Sequence, residues 1–378
     1  MALSCRCWAE VDLTALHGNL AWIRHQVGPG VKIMTVVKSD AYGHGLKQIA
    51  ALLMQSGTDV FGVANLTEAR AIRSVGRGWP VLMLGACLPD EVDTAVRDDV
   101  MVTVSTPHEA RQFSAAAVRL GKVAQLHVKI DTGMGRLGVA PEQALPLLVE
   151  IERLPAVRLA GLYTHYSSVE DDAAYSRAQH RRFRQLLTAL KEKPFDYVHA
   201  NNSGGLLHEH DSVYNTVRPG LLVYGVLPAG KRRITSALKE VIHPALTWKC
   251  RVSLVKDVPA GTSLSYGRTF TTPRRMKIAT LTAGYGDGYL RAGSNRSRVL
   301  IGGKLCPIVG RITMDQMLAD VSRVPKVKPG DEVVLIGRQG KRRITASDLA
   351  AWLGTIPWEV LTSITYRVPR HYKGGHAA

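Results

Sequence analysis

The 378-residue sequence predicts an α/β chain, an N-terminal (β/α)8 TIM-type barrel followed by a smaller, mostly β C-terminal domain. Three observations predict it. A short apolar run, a polar or glycine turn and an amphipathic segment recur about eight times over roughly the first 230 residues. That rhythm breaks around residues 231–240, after which short β-type runs are divided by Pro-Ala-Gly, Gly-Gly and Pro-Gly turns. The chain is also too long for one ordinary domain. We therefore expect a barrel over residues 1–238 and a second domain over 239–378.

In order, residues 8–25 read as a helix after an extended opening turn, because Leu13, Leu16, Leu20 and Ile23 form one apolar stripe. The expected barrel strands are 33–38, 60–64, 81–85, 101–105, 124–130, 159–165, 197–200 and 214–218. Helical stretches at 67–75, 106–120, 141–152 and 172–190 lie between them. In the second domain the runs 246–255, 276–281, 299–301, 304–309, 317–321 and 332–336 read as strands, and 346–353 as a helix. Lys38, Lys129, His165, Asn202, Ser203 and Arg218 all fall at, or just after, the C-terminal end of an expected barrel strand. Barrels of this kind build their active sites on that face, from the ends of different strands.

Composition narrows the class. With 46% hydrophobic and 21% charged residues, the chain has the makeup of a globular protein with a substantial core. The net charge is +18, yet the basic residues are scattered. The densest clusters, Arg181-Arg182, Lys231-Arg232-Arg233 and Lys341-Arg342-Arg343, are short and carry no interleaved aromatics. They suggest a basic surface that attracts anionic small molecules rather than a nucleic-acid groove. Five cysteines do not suggest a disulfide scaffold, and Cys5-Arg6-Cys7 lacks the second ligand pair of a metal site. No long apolar run suggests a signal peptide or membrane span, so a cytoplasmic protein is expected.

The chemistry centres on Val36-Val37-Lys38-Ser39-Asp40-Ala41-Tyr42-Gly43-His44-Gly45, which reads as strand, turn and helix. A lysine at the end of a buried strand either snorkels to the rim or loses water and lowers its pKa. An amine of the second kind can form a Schiff base with an aldehyde cofactor, and the Tyr42 phenol offers that cofactor's phosphate a donor. A second string, His127-Val128-Lys129-Ile130-Asp131-Thr132-Gly133-Met134-Gly135-Arg136-Leu137-Gly138, contains a formal GxGxxG. A dinucleotide site is not expected there. The glycines follow a polar Asp-Thr pair, and Arg158, about twenty residues on, is not the acid that would hold a ribose.

Both strings resemble motifs of the alanine racemase family of fold-type III pyridoxal-phosphate enzymes, and matches run from Trp8 to Arg370. They include Tyr163-Thr164-His165, Arg218-Pro219-Gly220, Ser265-Tyr266-Gly267, the segments 283–289 and 310–316, and Arg367-Val368-Pro369-Arg370. The resemblance implies pyridoxal 5'-phosphate on Lys38, with Tyr42, Asn202, Ser203, Gly220 and Leu221 among the cofactor-binding residues. Ser203 and the amides of Gly220 and Leu221 would face the phosphate. It implies Arg136 at the cofactor's phenolic oxygen and the substrate carboxylate, Lys129 as a carbamylated lysine orienting Arg136, and Arg218 facing the pyridine nitrogen. The Met314 amide would bind the substrate carboxylate, Tyr285 would line the entry channel, and Asp315 would support that segment.

Racemisation needs proton removal on one face of Cα and delivery on the other. The resemblance assigns these steps to Lys38 and to Tyr266, the latter from a second subunit and bonded to His165. An obligate head-to-tail homodimer with shared sites is thus implied. A free phenol is a weak base at neutral pH, and a hydrogen bond to His165 would lower its pKa. The activity expected is interconversion of L- and D-alanine, supplying D-alanine for peptidoglycan. A broader racemase for serine or basic amino acids is the alternative; Trp358 stands where the family usually has a tyrosine, and a displaced indole would admit larger substrates whereas a cramped pocket would favour alanine.

Overall fold

The computed structural model describes residues 5–190, 194–209, 214–228 and 230–375. Eight parallel strands follow one another in chain order and close into a barrel, Lys32–Val36 pairing with both Val60–Val63 and Thr216–Val217. The others are Val81–Ala86, Met101–Val104, Ala124–Lys129, Val157–Tyr163 and Tyr197–His199. Strands such as Val60–Val63 and Met101–Val104 are buried along their whole length, as expected where helices cover the outside and side chains fill the inside. Met34, Val60, Leu82, Met101, Ala160 and Tyr197 pack together as one small cluster.

The outer helices start where polar caps precede apolar periodicity. Asn65 accepts from the Glu68 amide, Thr106 and Glu109 form a reciprocal capping box, and Asp172 accepts from the Tyr175 amide. Among the departures from the sequence reading are the chain's first strand and the last strand of the barrel. Residues Cys7–Asp12 are a strand with alternating burial, and the helix begins only at Leu13, capped by Asp12. A period-two run set directly against a helical stripe is hard to separate by pattern alone. The last barrel strand is only Thr216–Val217, although single bonds continue past it, from the Arg218 amide to the Asn201 carbonyl and from the Val36 amide to the Pro219 carbonyl; Pro219 itself has no N–H to donate.

The C-terminal region is built on a nine-stranded sheet. Its long strand Leu246–Val258 runs antiparallel to Cys7–Asp12, Met276–Leu281 and Glu332–Gln339, and Cys7–Asp12 also pairs in parallel with Arg370–Lys373. The expected helix Ala346–Leu353 is present, followed by a further one, Pro357–Thr362. The latter packs on the barrel loop after Lys38, where a Cβ on Gly43 would run into the Leu361 carbonyl. The two regions therefore meet at the motif around which the sequence is organised. Among the described residues no helix is long and apolar enough to cross a membrane.

Candidate active site

Lys38 does not end the first barrel strand; it begins the turn two residues beyond Val36. Ser39, Asp40, Ala41 and Tyr42 all have φ of 51–54° with ψ of 44–55°, so they form one turn of left-handed helix without a glycine. Each such residue costs about 1–2 kcal/mol, which the surroundings must offset. The Ser39 amide donates to Glu68 Oε1 at 2.7 Å, and Asp40 Oδ1 accepts from the Leu46 amide at 2.7 Å. Arg370 Nε holds the Gly43 carbonyl at 3.0 Å. Tyr42 leans on Tyr224, with ring centroids 5.0 Å apart, and the Tyr224 hydroxyl donates to the Val36 carbonyl.

The turn brings Tyr42 against Gly220, where an added Cβ would lie 2.8 Å from the phenol oxygen. Ser203 Oγ accepts from the Gly220 amide at 2.9 Å and the Leu222 amide at 3.3 Å. The Leu221 amide bonds to none of the described residues. Asn202 caps the short helix Ser203–His208 by accepting from the Gly205 amide. A phenol, a serine hydroxyl and backbone amides thus crowd one corner, a donor set suited to an anion.

Across the barrel mouth Arg218 is buried and extensively bonded. Its guanidinium donates to His199 Nδ1 at 2.6 Å, His165 Nδ1 at 3.1 Å, and the carbonyls of Thr164 and Ala200 at 2.9 Å each. Burial pushes its pKa down to about 10, so it remains a cation at neutral pH. Because a guanidinium only donates, both histidines accept through Nδ1 and carry their proton on Nε2. His199 then donates from Nε2 to His127 Nδ1 at 3.1 Å. Burial, then the Arg218 charge, holds His165 and His199 well below the ordinary histidine pKa, so both are neutral.

Two lysines share this cationic surrounding. The Lys38 pKa is lowered, first by burial and then by Arg136, against a weaker opposing pull from Glu68. Lys129 is 4% exposed, sits over the Tyr163 ring at 4.6 Å, and has its pKa pushed down to about 7 by burial, Arg218 and Arg136. The nearby carboxylate, Asp131, is occupied by the amides of Gly133, Met134 and Gly135 at 2.9–3.1 Å. The glycine loop therefore folds onto its own aspartate.

Lys38, Tyr42, Lys129, Arg136, His165, Ser203, Arg218 and Gly220 thus converge at the C-terminal face of the barrel, with Arg136 exposed at its rim. Tyr266 does not join them within one chain. It stands 72% exposed on the C-terminal domain, beside Tyr285 at 41% and Met314 at 53%. Ser265 Oγ donates to the Arg311 carbonyl, and the amides of Tyr285 and Gly286 donate to the carbonyls of Thr313 and Met314, which gathers the three on one edge. Asp315 and Asp287 bracket Arg367 there, at 2.8 and 3.7 Å. Trp358, on the Pro357–Thr362 helix, is half-buried against the core. The sequence reading missed His199, His127 and Glu68. The two histidines lie inside strands, where a lone histidine carries no pattern, and Glu68 lies in an ordinary amphipathic helix.

Comparison with known proteins agrees with this fold. A family model described as alanine racemase, N-terminal domain, matches residues 11–228, and one for the C-terminal domain matches 245–372. The alanine racemase of Halothermothrix orenii is 40% identical over 369 residues, covering 97% of this chain and 96% of that protein. Alanine racemase 2 of Caldanaerobacter subterraneus is 41% identical over 367 residues, covering 96% and 94%. The structure of alanine racemase from Clostridium difficile 630 superposes with a TM-score of 0.90 at 33% identity, covering 98% of this chain and 96% of that one. That of Bartonella henselae alanine racemase, with covalently bound pyridoxal phosphate, gives 0.88 at 26% identity, covering 98% and 100%.

Proposed function

This chain belongs to the alanine racemase family, and from that premise we propose that it interconverts L-alanine and D-alanine with pyridoxal 5'-phosphate on Lys38, supplying D-alanine for peptidoglycan. The observation that carries the reading is the pairing of a half-buried Lys38 amine, its pKa lowered, with a separate corner that gathers the Ser203 and Tyr42 hydroxyls. The residues fit the cofactor. The Ser203 and Tyr42 hydroxyls and the Leu221 amide would hold its phosphate, the Gly220 and Leu222 amides orienting Ser203, and the bare Cα of Gly220 keeps that corner open beside the Tyr42 hydroxyl. Arg218 would face the pyridine nitrogen, Arg136 the phenolic oxygen and the substrate carboxylate. When bound, the cofactor supplies an electron sink that acidifies the Cα–H of an attached amino acid.

The chain's own residues then divide the proton work. Lys38 Nζ, its basicity moderated by burial and by Arg136, takes or returns the Cα proton on one face. Arg218 keeps its proton, because it stays charged even at a pKa of about 10, and so donates a hydrogen bond without transferring H+. We assign the opposite face to the partner's Tyr266. Neutral His165, its Nδ1 engaged by Arg218, is left with an Nε2–H to donate to that tyrosine's oxygen. Met314 would give its amide to the substrate carboxylate, with Asp315 and Tyr285 shaping the entry beside it.

The exposed edge bearing Tyr266, Tyr285 and Met314 supports a head-to-tail homodimer in which each barrel is completed by its partner. Lys129, its pKa lowered to about 7 and without a free carboxylate partner, supports carbamylation, which would put an anion beside the cations of Arg136 and Arg218. We take residues 1–238 as the barrel unit and 239–378 as the domain supplying Tyr266, with the Cys7–Asp12 strand crossing into the second sheet. Five free thiols support a cytoplasmic location.

The test is chiral analysis of L-alanine incubations. D-alanine formation should vanish in Lys38→Ala and in Tyr266→Phe. Mixing the two inactive chains should restore about a quarter of wild-type activity, since half of randomly mixed dimers regain one of two sites. No recovery on mixing, with mixed dimers present, would overturn the shared site; racemisation undiminished in Tyr266→Phe would overturn the two-base assignment.

A further inference from the structure

A cleft of about 1620 Å3 lies between the barrel and the C-terminal sheet, away from the barrel mouth. Two short basic runs that lie over a hundred residues apart in the sequence meet there. From the segment after the barrel come Lys231, Arg232, Arg233 and Lys239; from the Glu332–Gln339 and Arg342–Ile344 strands come Arg338 and Arg343. No aspartate or glutamate is among the described lining residues.

Three features argue that these charges serve a ligand. Arg338 and Arg343 are direct cross-strand partners, so two guanidiniums share one face of a hairpin, an arrangement that is destabilising unless an anion relieves it. Arg232 is paired with Glu209 at 2.6 Å, but Arg233, Lys239, Arg338 and Arg343 have no carboxylate partner among the described residues. His44 also lines the cleft and is fully buried. Its Nδ1 is engaged by the Tyr42 carbonyl at 2.8 Å, and its Nε2 is without a partner. That carbonyl can only accept, so Nδ1 bears the proton and Nε2 is left as an acceptor. Apolar side chains, among them Val226, Ile242 and Leu361, make up much of the remaining wall.

We propose that this cleft binds a small oligophosphate-bearing ligand, its phosphates on the Arg338–Arg343 hairpin and the facing Lys231–Arg233 segment. Planar guanidiniums on two walls match several phosphate groups in series, which a single phosphate would not span. A cavity exceeding the usual range for a small-molecule site also has room for a body beyond the phosphates, with His44 as an acceptor for one of its hydroxyl or amino groups. Nothing in this assignment uses the catalytic residues.

The full-length chain loaded with pyridoxal phosphate is titrated calorimetrically with inorganic tripolyphosphate and with ATP at physiological ionic strength. Saturable binding of at least one is expected, weakening as salt rises. Arg338→Gln/Arg343→Gln should raise the Kd about tenfold or more, with racemase activity unchanged without ligand. Lys231→Gln/Arg233→Gln, on the other wall, should do the same and serves if the hairpin variant does not fold. Tighter binding of ATP than of tripolyphosphate would identify a nucleotide; equal binding would identify an inorganic oligophosphate. Absence of saturable binding by both probes, or a Kd unmoved in either folded variant, overturns the proposal. So does an RNA oligonucleotide that displaces both probes and binds more tightly, which would make the cleft a nucleic-acid surface.

Discussion

Neutralising Lys129 should change how stability depends on pH, and the structure fixes the sign. The pKa of this buried amine lies at about 7 in the folded chain against an ordinary 10.5. Between those values the unfolded chain holds the extra proton, so unfolding is favoured by acid and stability rises with pH. Below about pH 7 the full penalty of a buried ammonium is present, and it fades as pH rises toward 10.5. That interval, at about 1.4 kcal/mol per pH unit, amounts to about 5 kcal/mol, of which about 2–3 kcal/mol falls between pH 6 and 9. The variant is Lys129→Met, which keeps the stem and removes the charge. Denaturant midpoints of cofactor-loaded wild type and variant are measured in carbonate-free buffers across that range. Wild type should gain about 2–3 kcal/mol on the variant between pH 6 and 9. Bicarbonate should then stabilise wild type alone, because a carbamate removes the positive charge and adds a negative one beside Arg136. Parallel pH profiles for the two proteins would refute the reasoning, since they would mean that Lys129 is not desolvated.

Other outcomes follow from the same geometry. Ser203→Ala removes the hydroxyl on which two amides converge, and cofactor affinity measured by equilibrium dialysis should fall about 10- to 100-fold. Gly220→Ala should weaken cofactor binding by forcing the Tyr42 hydroxyl aside, and Tyr42→Phe should weaken it as well by removing a phosphate donor. In Trp358→Tyr, the kcat/KM ratios for serine and lysine relative to alanine should change, because a smaller phenol replaces an indole near the Lys38 turn; unchanged ratios would make the position silent.

Much of this molecule was legible before any coordinates. Alternation of apolar run and amphipathic segment foretold a barrel because each βα unit buries its strand locally, and the strand ends marked the reactive face. Lys38, Lys129, His165 and Arg218 were visible as charged groups where apolar patterning stops. The handedness of the turn from Ser39 to Tyr42 was not visible, because without a glycine nothing in the sequence favours positive φ; packing against Tyr224 and bonds from Glu68 and Arg370 impose it. Cys7–Asp12 was misread because its strand partners, at 246–250 and 370–373, are more than two hundred residues away.

The sequence by itself determined which chemistry the chain can carry: local patterning sets the barrel, and the motif residues set the nitrogen and oxygen atoms available. Only the tertiary structure decided how those atoms behave. Burial at one barrel mouth is what lowers both lysines and keeps His165 neutral, while Arg218 stays charged in spite of it, and desolvation is a property of neighbours brought from distant parts of the chain. The same holds for Tyr266, whose exposure on the far domain no reading of its own segment would disclose.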